Sequence, residues 1–253
     1  MNDEMNPGPD DDGIRAYIAH HFWPIGELAL ASGVSEQEAE AMIVGACAPG
    51  TIYAFDRKGW WSALGGYRSG AVGRPSDDAE RWYSPAAVWG LRRARLALRG
   101  GASIADAASR NRARFQTDFI AALGAVPEAA NAFQACFGAD GAVDHAAAEV
   151  QAGEEWSAWL KGGYAVCLRI FTGGTCVAKE SLAATLKRHI ADPASYPMDA
   201  GEILALCERL TQLMLPFSPW ERSGCTPGVT IDRLLRDLSL GCELPYAVLS
   251  KKA

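Results

Sequence analysis

The chain has 253 residues, 49% of them hydrophobic and 21% charged, with a formal net charge of −6. That length buries a substantial core in one or two domains, and no apolar run approaches the roughly 20 residues of a membrane helix. The acidic balance argues against a chain built throughout for polyanions, although a local basic stripe is compatible with it.

Residues 1–12 carry Asp3, Glu4, Asp10, Asp11 and Asp12 and no basic residue. Without a positive start and an apolar stretch they do not form a secretory leader, and they read as a disordered acidic tail. Seven scattered cysteines, none paired at two-residue spacing, give neither a disulfide framework nor a zinc pattern. A cytoplasmic, reducing location follows, with most of the thiols as inert core groups.

The next unit, residues 13–100, opens with three short helices. Ile14, Tyr17 and Ile18 share a face of the first, and Gly33 ends a second that spans residues 25–32. Ser35 caps the third, with Glu38 three residues on completing a capping box. Tyr53 and Phe55 alternate with small residues in the manner of a strand, and Arg81 to Tyr83 is a further extended piece. Pro85 is placed to open a helix that runs to Arg99. Residues 101–253 form a helical domain, either separate from the first unit or continuous with it. Its helices lie between 103 and 137, with a break near Pro127, and over 143–160, 181–190, 202–215 and 230–238. The fold class is mainly α: a helical domain with an N-terminal helix-turn-helix-like unit and a small β-hairpin insertion.

Residues 27–44 invite a DNA-binding reading, because a helix, a glycine turn and a second helix follow one another. The second helix, however, presents Glu36, Glu38 and Glu40 and no Lys or Arg, the wrong sign for a polyanion. A packing motif without nucleic acid explains it better. Arg92, Arg93, Arg95 and Arg99, continued by Arg110, Arg112 and Arg114, read first as a solvated helix face.

No phosphate loop and no nucleophile elbow is present. His20 and His21 are adjacent and cannot share a helical face as metal ligands, so no metal is expected. The unusual stretch is Tyr53 to Tyr83, where Tyr53, Trp61, Trp82 and Tyr83 are interleaved with Arg57, Arg68 and flexible glycines. Such a segment suits a loop closing over a planar anionic molecule, rings stacking on its plane and an arginine fork taking its carboxylate. A hydrophobic flap or a dimer contact reads the same residues equally well. Glu80, flanked by Arg81, Trp82 and Tyr83, is the carboxylate placed for acid–base work.

Two C-terminal pieces carry a resemblance. They are Gly163-Tyr164-Ala165-Val166-Cys167-Leu168-Arg169 and Leu215-Pro216-Phe217-Ser218-Pro219-Trp220-Glu221-Arg222, with Lys179 between them and Arg233-Leu234-Leu235 after. Glu80 ahead of Tyr83 and Pro85 adds to them. On these the chain resembles bacterial natural-product biosynthesis proteins of the marinacarboline (McbB-type) Pictet–Spengler group. It departs from that pattern in a longer Gly59 to Asp78 stretch and in Thr172-Gly173-Gly174, where Thr-Pro-Glu is expected. The resemblance implies condensation of an aromatic amine such as tryptophan with an aldehyde, without cofactor or metal. Glu80 is then the acid and base, Arg68 or Arg57 holds the substrate carboxylate, Tyr53, Trp61 and Trp82 enclose the indole, and Arg169 is a further contact. The competing readings are a non-catalytic small-molecule-binding or partner protein of a pathway, and the disfavoured transcription factor. A homodimer is compatible with each.

Overall fold

A computed structural model describes residues 11–238. Residues 1–10 of the expected acidic tail lie outside the described residues. The chain is mainly helical. In order it forms α1 (Asp11–His21), α2 (Ile25–Ser32), α3 (Glu36–Val44), β1 (Tyr53–Asp56), β2 (Gly59–Ser62), β3 (Gly66–Tyr67), β4 (Glu80–Trp82) and α4 (Ala87–Arg99). Then come α5 (Ile104–Ala125), α6 (Ala129–Ala132), α7 (His145–Leu160), α8 (Gly173–Ala191), α9 (Ala200–Leu213), α10 (Pro219–Arg222), a π-turn (Gly228–Asp232) and α11 (Arg233–Asp237). No helix among the described residues is long and apolar enough to cross a membrane.

Local chemistry sets these boundaries. Gly33 ends α2 in the left-handed region, at φ +71°. The Ser35 capping box is present, with Glu38 N–H donating to Ser35 Oγ at 3.2 Å and Ser35 N–H to Glu38 Oε2 at 2.8 Å. Pro85 does not open α4 as expected. Ser84 accepts the N–H groups of Ala86 through its hydroxyl and of Ala87 through its carbonyl, so Pro85 sits in a turn that precedes the helix. The helix expected over residues 181–190 begins earlier, at Gly173, because Thr172 and Thr175 form a capping box there.

The expected hairpin is a four-stranded antiparallel sheet in the order β3-β2-β1-β4. Gly59, at φ +106°, makes the tight β1–β2 turn possible, and β3 folds back beside β2. The register divides the aromatic segment. Tyr53 lies opposite Ser62 and Trp82, and Phe55 opposite Trp60 and Glu80, so these side chains share one face. Ala54, Trp61, Tyr67 and Arg81 share the other.

Two hydrophobic cores result. The larger takes α1, the first sheet face and the helices from α5 to α11, centred on residues such as Phe22, Phe119 and Leu182. The smaller, built from Leu28, Met42, Leu91 and their neighbours, joins α2, α3, α4 and the start of α5. Packing therefore does not divide at residue 100. The sheet and α1 belong with the C-terminal helices, and the helix-turn-helix-like pair belongs with α4.

Candidate functional site

The sequence-nominated residues come together only in part. Glu80 is half exposed and its Oε2 accepts from Arg15 Nη1 of α1 at 2.7 Å. Arg57 lies nearby, at the rim of an open hollow of about 340 Å³ that Arg15, Phe55, Asp56, Asp78 and Glu80 also line. Arg15 covers the Phe55 ring at 3.9 Å. Arg68 is exposed, and Trp61 faces away from Glu80, on the second sheet face. Tyr83 is buried in the smaller core. Tyr53 and Trp82 share the Glu80 face of the sheet. Arg169 lies near the end of α1, where its charge acts on His21.

The glycine-rich stretch after β3 is tied down. Asp56 accepts from Tyr67 Oη at 2.5 Å, from Ser76 N–H at 3.0 Å and from Lys58 N–H at 2.8 Å. These bonds, Tyr67's foremost, hold the Asp56 carboxyl down at about 2. Arg81 adds bonds to the carbonyls of Ser76 and Asp77. The segment is a pinned flap rather than a loop free to close.

A different carboxylate is more enclosed. Glu221, on α10, is partly buried, and its Oε2 accepts from Tyr53 Oη at 2.6 Å and from Ser218 Oγ at 2.6 Å. Tyr53 comes from the sheet, while Ser218 immediately precedes α10. Arg222 anchors α10 by a two-pronged pair to Asp232, both contacts 2.7 Å. Four aromatic rings close a circuit around this point. Tyr17 meets Trp220 at 5.1 Å, Trp220 meets Trp60 at 5.7 Å, Trp60 meets Tyr53 at 6.4 Å, and Tyr53 meets Tyr17 at 6.5 Å. The buried indole N–H groups of Trp60, Trp82 and Trp220 have no hydrogen-bond partner among the described residues.

Titration is shifted accordingly. Burial, then the charge of Glu221, raises the phenols of Tyr17 and Tyr53, so both remain donors, Tyr17 to the Pro216 carbonyl at 2.7 Å. Burial, then His20 and Arg169, pushes His21 down to about 4, leaving a neutral imidazole against the Tyr17 ring.

The two motifs that carry the resemblance are neighbours in space. Arg169 N–H donates to the Leu213 carbonyl at 3.1 Å and Leu215 N–H to the Cys167 carbonyl at 2.7 Å. Behind them Lys179 is buried. Desolvation opposes its charge, but Cys167 and Glu180 hold the ammonium above its ordinary value, with Glu180 at 2.6 Å. Tyr164 donates to Glu155 and lies beneath the Lys179 ammonium. Burial pushes the Cys167 thiol up to about 11, which keeps it a poor nucleophile. Among the described residues no three His, Cys, Asp or Glu side chains gather as a metal site would require.

Sequence reasoning did not single out Glu221, although the residue stands inside the Leu215 to Arg222 segment. A Ser three residues before a Glu, across a Pro-Trp pair, was the available signal. Its partner Tyr53 is too distant in sequence for spacing to join them.

A family model described as a family of unknown function (DUF6058) matches residues 111–239, about half of the chain. The match takes in Lys179 and Glu221 and leaves out Tyr53 and the helix-turn-helix-like unit. No curated protein matches, and no solved structure does.

Proposed function

We propose that this chain, which belongs to the DUF6058 family, binds an aromatic amine of amino-acid type and moves protons on it with a carboxylate, in a condensation of the Pictet–Spengler kind. The observation that carries this reading is Glu221, a partly buried carboxylate gripped on one oxygen by Tyr53 and Ser218 within a circuit of four aromatic rings. The amine adds to an aldehyde to give a carbinolamine. Glu221 in its acid form protonates the departing hydroxyl, and water leaves with formation of the iminium. The aryl carbon then attacks the iminium, and the Glu221 carboxylate takes the proton that restores aromaticity. One group gives and regains one proton, and the net loss is water. Aromatic walls favour the indole and, by cation–π attraction, its ammonium. The unpaired indole N–H groups offer donors to a substrate carboxylate or carbonyl.

A second reading, binding without turnover, is favoured by the hollow at Glu80. It sets Arg57 against Asp78 and Glu80 over Phe55, a pattern that suits a zwitterion. An exposed Glu80 already paired with Arg15 is poorly placed to be a general acid. Fluorescence titration with tryptophan and tryptamine on wild type, Glu221→Gln and Glu80→Gln separates the two. The enzyme reading expects saturable binding in all three and loss of aldehyde condensation in Glu221→Gln alone. No condensation by wild type, with binding weakened in Glu80→Gln, establishes the second reading. No binding at millimolar ligand removes both.

A further inference from the structure

The arginines between residues 92 and 114 number seven, against one acid, Asp106. Four of them are accounted for by their neighbours. Arg95 lies against Gly33, and Arg95 and Arg99 both act on Glu38 of α3. Arg92 donates to the Ala31 carbonyl at 2.7 and 3.0 Å. Arg112 reaches across to α7 at Gly153. The acidic face of α3 thus meets part of the positive charge of α4.

The other three converge. Arg93 of α4 and Arg110 and Arg114 of α5 line a hollow of about 370 Å³ whose remaining walls are Leu96, Ala97, Ala107 and Asn111. No acid lines it. Asp118 stands 3.9 Å from Arg114, at the outer limit of a pair, and Asp106, the acid facing Arg110, is bonded to the Ser103 N–H and hydroxyl in the α5 cap. Arg110 and Arg114 are one turn apart, a spacing at which like charges repel. The walls are rigid, because the buried Asn111 amide donates to the carbonyls of Cys47 and Gly90, both at 3.0 Å, and fixes α5 to α4.

We infer that this hollow is a binding site for a small phosphoryl-bearing anion. Three guanidinium groups from two helices around one hollow suit a tetrahedral dianion with several oxygens better than a carboxylate, which one fork satisfies. Burial, then the charge of Arg114, depresses Arg93 despite the opposing pull of Asp118, as expected where cations outnumber acids. The exposed carboxylates of Glu36, Glu38 and Glu40 on the packed neighbour α3 repel a long polyanion, so a small molecule fits and a duplex does not.

The test is calorimetric titration of the full chain with inorganic pyrophosphate, on wild type, Arg93→Ala, Arg110→Ala and Arg112→Ala. One-site binding is expected in wild type and Arg112→Ala, weakened at least tenfold in the other two. Without ligand, Arg110→Ala should melt no lower than wild type, because the substitution removes repulsion. Pyrophosphate should raise the melting temperature of wild type but not of that variant. The proposal is overturned by the absence of saturable binding, or by equal weakening in Arg112→Ala, which would mean diffuse attraction. It is also overturned if a 20-base-pair duplex binds with a steep salt dependence and pyrophosphate displaces it.

Discussion

The two cores of this molecule handle charge in opposite ways. The larger holds polar groups inside, some of them partnered, as Lys179 with Glu180, Glu221 with Tyr53 and Ser218 and Tyr164 with Glu155, and some, the indole N–H groups of Trp60, Trp159 and Trp220, without a partner among the described residues. The smaller is mostly aliphatic, with Tyr83 among its members, and its charges stand outside, α3 carboxylates against α4 arginines. Buried polar groups must be satisfied or they destabilise the fold, so the larger core accepts a structural constraint that simple packing does not require. The smaller core is a scaffold, and whatever it does by charge it does at its surface.

Glycine substitutions should sharpen this contrast most. A Cβ on Gly173 would lie 2.1 Å from Phe119 N and 2.5 Å from the Phe115 carbonyl oxygen, where α8 meets α5. Gly173→Ala should therefore cost at least about 3 kcal/mol in urea unfolding. On Gly90 the Cβ would sit 2.4 Å from the Cys47 carbonyl oxygen, between α4 and the chain beyond α3, and Gly90→Ala should cost about 2 kcal/mol. Both variants should move one shared transition. Two transitions, each moved by one variant, would make the cores independent units.

Hydrogen-bond deletions come next. Asn111→Ala removes the donor to the Cys47 carbonyl and a second bond to the helical Gly90 carbonyl, and should cost about 2 kcal/mol. Tyr53→Phe removes a donor to a carboxylate and should cost a similar amount, about 2 kcal/mol. Only Tyr53→Phe should alter the tryptophan titration, and an equal change in Asn111→Ala would erase the distinction between the cores.

Acid should act on the larger core first. His21 is held at about 4 in the fold against 6.5 when free, so the unfolded chain binds the extra proton between those values. The stability this neutral imidazole contributes is complete above pH 6.5 and is lost as pH falls toward 4. Melting temperature should decline across that window and decline less in His21→Phe. Asp56 follows in a lower window, its stabilisation lost as pH falls from 3.8 toward 2. The smallest effect belongs to Glu80→Gln, which breaks a half-exposed ion pair and should shift stability by no more than about 0.5 kcal/mol.

The fold was legible where local chemistry decides it. The Ser35 box, the Gly33 stop and the break near Pro127 are set by neighbours within a few residues, and the structure has them. Pro85 misled because a serine before it captured the backbone first. The aromatic segment misled for a different reason. Composition places Tyr53, Trp61 and Tyr83 in one region, but strand alternation and two cores send them to three environments. The departure at Gly173 had a packing cause that only the approach of α8 to α5 reveals. Glu221 was hidden because its defining partner lies in a strand that spacing cannot connect to it.

That last separation has a consequence for how the chain matures. Tyr53 and Glu221 are 168 positions apart. During synthesis the strand bearing Tyr53 leaves the ribosome long before α10 does, and its phenol must wait for its acceptor. The Tyr53–Glu221 contact therefore cannot exist until α10 itself has been synthesised, and a chain cut short before it leaves that phenol without its acceptor.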